Sequence, residues 1–89
     1  IIVTENGTAT TEESFRIDYY KSHLTEIHKA MSEGVPVKGY MAWSLTDNYE
    51  WQHAYSKKFG LISVDPISME RTLKKSGWWY KEVIENNGF

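Results

Sequence analysis

No cysteine occurs in the 89 residues, which excludes disulfide staples and thiolate metal sites and leaves stability to packing. An excess of one charge is lacking too. Ten basic and twelve acidic residues are mixed along the chain for a formal net charge of −2, giving neither a basic stripe for nucleic acid nor a polyanionic tail. Long apolar runs are absent as well: stretches such as Ile1-Ile2-Val3 are far too short to span a bilayer, and no basic segment precedes an apolar one in the manner of a secretion signal. The expectation is a soluble chain, cytoplasmic rather than secreted, with no nucleic-acid partner and no membrane partner. A starting methionine is missing, and a strand-like run is already under way at Ile1, which reads as a cut or processed start.

What is present is aromatic. Aromatic residues make up 15% of the chain, with four Trp and six Tyr, more than a small core needs and of a kind that faces ligands as well as packing inward. Ile1-Ile2-Val3-Thr4 is β-branched and runs into Glu5-Asn6-Gly7, so it reads as a buried strand that delivers Glu5 to its C-terminal end. Over residues 14–33, apolar side chains fall at Ile17, Tyr20, Leu24, Ile27, Ala30 and Met31, the spacing of one helical face. Thr10 and Glu13 have the spacing of a capping box, and Gly34 with Pro36 supplies the stop.

A second strand is expected over 37–45, then a long polar and aromatic loop over 46–58. Residues 59–66 suggest another short extended piece, ended by a turn at Pro66. Residues 76–86 read as a closing helix with Trp79, Val83 and Ile84 on one side and Asn87-Gly88 as its end. Strand, helix, strand, loop and helix is the alternation of βα units with parallel strands. Parallel sheets are covered on both faces and run to several strands, so the order fits a quarter of an eight-stranded barrel better than a free domain.

The C-terminal end of such a strand is where barrel enzymes present catalytic side chains. Taken alone, a glutamate before Asn-Gly is more often a water-facing loop residue. The surroundings add Trp43-Ser44-Leu45-Thr46-Asp47-Asn48-Tyr49-Glu50-Trp51, in which two indoles bracket a cluster of polar groups. Sugars ask for that combination, because their C–H faces want an aromatic platform and their hydroxyls want carboxylate or amide partners. For Asp47 and Asn48 an Asx-type turn is the preferred reading. On composition alone Glu50 fits a site and a salt-bridged surface carboxylate equally well.

Four motifs then stand in order: T-E-N-G at the strand end, G-Y-x-x-W-S-L-x-D-N-x-E-W, F-G-L-x-x-V-D, and R-x-x-K-x-S-x-W-Y. In this the chain resembles glycoside hydrolase family 1 from Ile1 to about Tyr80. The resemblance implies an α/β fold made of the last two βα units of a (β/α)8 TIM barrel, incomplete in this chain, with residues 1–89 forming the C-terminal part of one catalytic domain. It implies that Glu5 is the nucleophile of a retaining β-glycosidase, forming a covalent glycosyl-enzyme. It further implies that Trp43 is the stacking floor under the sugar, that Glu50 accepts from the 4- and 6-hydroxyls, that Trp51 donates to the 3-hydroxyl and that Phe59 closes the pocket. An indole N–H is a pure donor and an ionised carboxylate a pure acceptor, which suits this division.

Members acting on 6-phosphorylated sugars place a serine at the position of Glu50, with a lysine and a tyrosine nearby. Lys57 matches the lysine, but Glu50 would repel a phosphate and Phe59 replaces the tyrosine, so a neutral sugar is favoured. Myrosinases carry glutamine where Glu5 stands, so an O-glycosidase is the better reading. Ala54, Leu73 and Gly77 depart from the common pattern without touching the expected chemistry. His23 and His28 lie in the helix without a third ligand at metal spacing; no metal and no cofactor are assigned.

The general acid of this reaction lies in an Asn-Glu-Pro motif in the family, and no such motif occurs here. The 89 residues therefore hold half of a site, and alone they are expected to show little hydrolysis. The expected partners are a β-glycoside or oligosaccharide substrate and the N-terminal portion of the barrel. Two alternatives stay open: a stand-alone carbohydrate-binding or interaction module using Trp43, Trp51, Trp78 and Trp79, and a split protein that reassembles with its other portion.

Overall fold

The structure, a computed structural model, describes residues 1–47 and 57–89. The expected β-branched run forms β1 (Ile2–Asn6), and its neighbour in the sheet is β2 (Gly39–Ala42), parallel to it. Two parallel strands need a crossover, and helix α1 (Glu13–Ser32) provides it. Ile2 lies opposite Gly39 and Val3 opposite Tyr40, but Asn6 lies opposite Ala42. Three residues of β1 thus span two of β2, a bulge at Thr4 and Glu5.

β2 is shorter than the strand expected over 37–45. Trp43 N still donates to Asn6 O at 2.7 Å, but the Trp43–Ser44 peptide is cis and the chain then pairs elsewhere. Ser44 N donates to Phe59 O at 3.1 Å and Leu61 N to Ser44 O at 2.9 Å. The 59–66 piece yields β3 (Ile62–Val64), ending as expected in a turn that contains Pro66. The chain then returns as β4 (Arg71–Leu73), antiparallel to β3 in register Ile62–Leu73, Ser63–Thr72 and Val64–Arg71. This return strand was not expected, because three residues with one apolar side chain carry no period. The turn is closed by Asp65, whose Oδ1 accepts from the amides of Ile67 and Ser68, each at 2.9 Å.

The end of α1 is the one expected. Gly34, at φ 99°, permits the Val35 N–H to reach Ala30 O at 3.1 Å, the closing bond of a Schellman-type stop. Its start is not. No side chain caps it: Thr10 Oγ1 accepts from Glu12 N, and the Glu13 carboxylate is bound to Arg16 and to Ser76 instead. The capping box fails because the N-cap is Glu12 rather than Thr10, and the Glu13 carboxylate is held by the buried guanidinium of Arg16. Helix α2 (Lys75–Asn86) ends as expected, with Asn87 in the left-handed region and Gly88 N donating to Val83 O at 3.1 Å.

The centre of the fold is smaller and more polar than the helical period suggested. Among the described residues, Tyr20 and Leu61 are the buried hydrophobic side chains, and Arg16 and Ser76 are fully buried beside them. Ile17, Leu24, Ile27 and Ala30 are half-buried, while Met31 is exposed; on α2, Trp79 and Val83 are half-buried but Ile84 is 67% exposed. Ile2 and Met41 on the two parallel strands are more than half exposed. A parallel sheet with open faces is a partial fold, since parallel strands are stable with helices or further strands against them. The chain shows a βα unit, a strand, a hairpin and a helix, and not a complete barrel.

Candidate active site

Position is dictated first by the strands. β1 and β2 run the same way, so their C-terminal ends, with Glu5 on one and Trp43 just past the other, lie at one edge of the sheet. Glu5 sits on the bulge and is exposed. Bulges re-aim a side chain out of the regular alternation of a strand, and this one falls on the residue singled out from the sequence. Nothing in the order of side chains announced it, because both Thr4 and Glu5 are compatible with a regular strand.

The next residue holds this strand end in place. Asn6 Oδ1 accepts from Tyr40 Oη at 2.6 Å, Asn6 Nδ2 donates to Tyr19 Oη at 3.2 Å, and Asn6 O takes the Trp43 amide. One asparagine thereby joins β1 to β2 and to α1. Tyr20 Oη donates to Trp43 O at 2.9 Å, fixing the backbone on the other side. Gly7 is a glycine for a steric reason: a Cβ there would stand 1.8 Å from Trp43 O. Burial pushes the Tyr20 phenol up to about 12, against the lowering influence of Arg16, and burial likewise raises Tyr40 and Tyr80. Tyr20 and Tyr40 are therefore neutral donors at any physiological pH.

Phe59 reaches the same edge, since its carbonyl accepts from Ser44, the residue after Trp43; its side chain is half-buried. The structure thus brings Glu5, Trp43 and Phe59 to the C-terminal ends of the two strands. Glu50 and Trp51 lie outside the described residues, as do most of the expected loop and Asn48. The Asx-type turn expected at Asp47 and Asn48 runs into residues outside the described ones, whereas Asp47 itself is described. It is buried, and its Oδ1 accepts from Gly60 N at 2.9 Å and from Lys74 Nζ at 2.8 Å. A contact made thirteen and twenty-seven residues away leaves no local sequence signal.

The other residues missed from the sequence are Arg16 and Glu13. Arg16 donates to Thr10 O and Lys58 O as well as to Glu13. Glu13 Oε1 accepts from Ser76 N at 3.0 Å and from Ser76 Oγ at 2.5 Å. A carboxylate so placed satisfies an orphan amide in the first turn of α2 and complements its dipole, which Lys74 at the N-cap cannot do.

His23 stacks on Tyr19, and among the described residues there is no group of three or more His, Cys, Asp or Glu that could hold a metal. No described helix is long and apolar enough to cross a membrane. Trp79 packs against Phe89 and Tyr80, with ring centroids 5.7 and 6.5 Å away, so it is not a free platform for a sugar.

The C-terminal end of a parallel strand, where Glu5 stands at the edge that also holds Trp43, is where barrel enzymes present catalytic side chains. The model of glycosyl hydrolase family 1 matches residues 1–89. The chain belongs to that family. It is 46% identical to beta-glucosidase A of Acetivibrio thermocellus over its whole length, and 47% identical over 88% of its length to 6-phospho-beta-glucosidase GmuD of Bacillus subtilis. Its fold matches a beta-glucosidase from Thermotoga maritima in complex with glucoimidazole at a TM-score of 0.95, with 45% identity and 99% of the chain covered. The chain spans 22% of that structure and of the Acetivibrio protein, and 17% of the Bacillus protein. These solved neighbours are TIM-barrel enzymes, and the chain corresponds to their C-terminal portion.

Proposed function

We propose that these residues form the C-terminal part of an enzyme that hydrolyses O-linked β-glycosides with retention of configuration, through a covalent glycosyl-enzyme on Glu5. The observation that carries this reading is the placement of Glu5 on the bulge at the C-terminal end of β1, at the edge that also holds Trp43, in a family 1 chain. In the first step a Glu5 carboxylate oxygen bonds to the anomeric carbon while the bond from that carbon to the aglycone oxygen breaks. The leaving oxygen takes a proton from an acid outside residues 1–89, since no Asn-Glu-Pro sequence occurs among them. Water then attacks the anomeric carbon, gives its proton to the same group and frees Glu5.

Trp43 forms the floor under the sugar, Glu50 and Trp51 read its hydroxyls, and Phe59 closes the pocket. A neutral glycone is preferred, because the carboxylate of Glu50 would stand where a 6-phosphate has to lie. One of the relatives is named a 6-phospho-beta-glucosidase, so Glu50 is the residue on which this preference turns. Residues 1–89 alone have no acid for the leaving group and little preorganisation, and they support little hydrolysis by themselves.

The test uses the natural full-length polypeptide that carries these residues and an aryl β-glycoside with fluorine in place of the 2-hydroxyl, which slows breakdown of a covalent intermediate. Mass spectrometry is expected to find the glycosyl group on the peptide containing Glu5, and Glu5→Gln to lower kcat by roughly three orders of magnitude or more. Labelling of a different carboxylate, or near-normal turnover by Glu5→Gln, would overturn the assignment.

A further inference from the structure

The chain leaves the sheet edge and comes back to it at one place. Ser44 N donates to Phe59 O, Leu61 N to Ser44 O, Ile62 N to Leu45 O at 2.8 Å and Asp47 N to Ile62 O at 2.9 Å, and Thr46 and Ile62 form a parallel bridge. The stretches 44–47 and 59–62 are thus zipped side by side, and everything between them departs and returns through this base. At the point of departure Asp47 Oδ1 takes both the Gly60 amide and the Lys74 ammonium. Lys74 is held from the other side as well, its own amide donating to Leu61 O at 2.9 Å. One lysine, the residue before α2, therefore grips both the outgoing and the returning stretch.

A backbone ladder would suffice to keep two stretches together. The ion pair adds something the ladder does not. Its side chains are only 14% (Lys74) and 6% (Asp47) exposed, so both charges have given up most of their water. A pair so buried is a poor way to gain stability, and its best-attested use is to fix one arrangement among several. The arrangement it fixes is the pairing of 44–47 with 59–62, the two stretches that in sequence flank the segment containing Glu50 and Trp51. At the return end, Lys58 O accepts from Thr10 N at 3.0 Å and from Arg16. Gly60 allows the close approach, since a Cβ there would stand 2.2 Å from Asp47 N.

We propose that Asp47 and Lys74 are positioning residues for sugar binding, which set the affinity for the glycone by fixing the base from which Glu50 and Trp51 are presented, without touching the sugar. The inference rests on the proposed roles of Glu50 and Trp51. Weakening one or two hydrogen bonds to the sugar costs about ten- to a hundredfold in affinity, and a loss that falls on ground state and transition state alike belongs in KM.

The experiment compares the natural full-length polypeptide with its Asp47→Asn, Lys74→Met and Lys74→Arg variants. It measures kcat and KM on a neutral aryl β-glycoside, and hydrogen exchange at the Gly60 amide. Asp47→Asn and Lys74→Met are expected to raise KM by about ten- to a hundredfold with kcat within a few-fold, and to speed exchange at Gly60. Lys74→Arg recovers most of the affinity. Should Lys74→Met fail to fold, Asp47→Asn against Lys74→Arg carries the comparison. Variants that lose thermal stability but keep the parent KM would overturn the positioning role alone. A parent polypeptide that hydrolyses no β-glycoside would overturn the functional reading and the sugar role with it.

Discussion

Replacing Tyr20 with phenylalanine removes a single buried oxygen, and the cost of that removal is expected to fall as the pH rises. Tyr20 is fully buried and its hydroxyl donates to Trp43 O. Removing that donor from a buried pair costs about 1–2 kcal/mol of stability near pH 8. The alkaline effect follows from the raised ionisation of this phenol, about 12 in the folded chain against 10.0 in the unfolded one. Between those values the unfolded state releases its proton while the folded state keeps it, so stability is complete below pH 10 and falls as the pH rises toward 12. At pH 11 the unfolded chain has gained roughly 1.4 kcal/mol from this group.

Phenylalanine has no proton to release, so the variant escapes that loss. The penalty seen near pH 8 is expected to shrink toward zero by about pH 11. Urea unfolding of the parent and Tyr20→Phe forms of the full-length polypeptide, at pH steps from neutral to 11, measures it. The effect of burial on Tyr40 and Tyr80 is common to both proteins and cancels in the difference. A stability gap that stays constant over this range would show that burial does not hold Tyr20 neutral, and would refute the reasoning.

Two further substitutions probe the polar centre and the loop base. Glu13→Ala leaves the fully buried guanidinium of Arg16 without its counter-charge and takes the cap from α2, so a loss of about 3–5 kcal/mol is expected in chemical unfolding; a loss below 1 kcal/mol would mean that the pair is dispensable. Gly60→Ala places a methyl group 2.4 Å from Thr46 C and 2.8 Å from Ile62 O, backbone atoms that cannot swing aside. A melting temperature lowered as by about 2–3 kcal/mol is expected from such overpacking, together with raised KM, and a variant unchanged in both would contradict the close approach.

What could be read in advance was whatever repeats locally. β1, the body of α1 and α2, and both helix ends followed from β-branched runs, helical spacing and the pairs Gly34/Pro36 and Asn87/Gly88, because each of these acts over a few residues. The place of Glu5 at a strand end was legible for the same reason, since a carboxylate between a strand and a turn is a local pattern, and the four motifs made the family visible. The roles of Arg16, Glu13, Asp47 and Lys74 were not legible. Each depends on a partner brought near by the fold, 63 residues distant for Glu13 and Ser76, and a charged residue on a helical stripe is by default read as solvated. The bulge was hidden too, since it arises from how β1 meets β2 rather than from either strand. β4 owes its existence to the turn at Asp65, whose carboxylate is held below its usual range by the amides of Ser68 and Ile67.

The bond between Glu13 and Ser76 bears on how such a chain can be inherited. The start of α2 is completed by a carboxylate from the beginning of α1, and the return of the long segment is completed by Arg16 from the same helix. The two helical units are thus not interchangeable parts: each is finished by atoms of the other. A recombination event with its crossover before Ile1 transmits both members of every such pair together. A crossover between α1 and the segment that starts at Lys57 would instead join a carboxylate and a guanidinium from one parent to an amide and a carbonyl from another. Chimeras of related barrels should therefore survive in proportion to how closely the two parents agree at positions 13, 16, 58 and 76, and gene exchange is expected to move this stretch as one block.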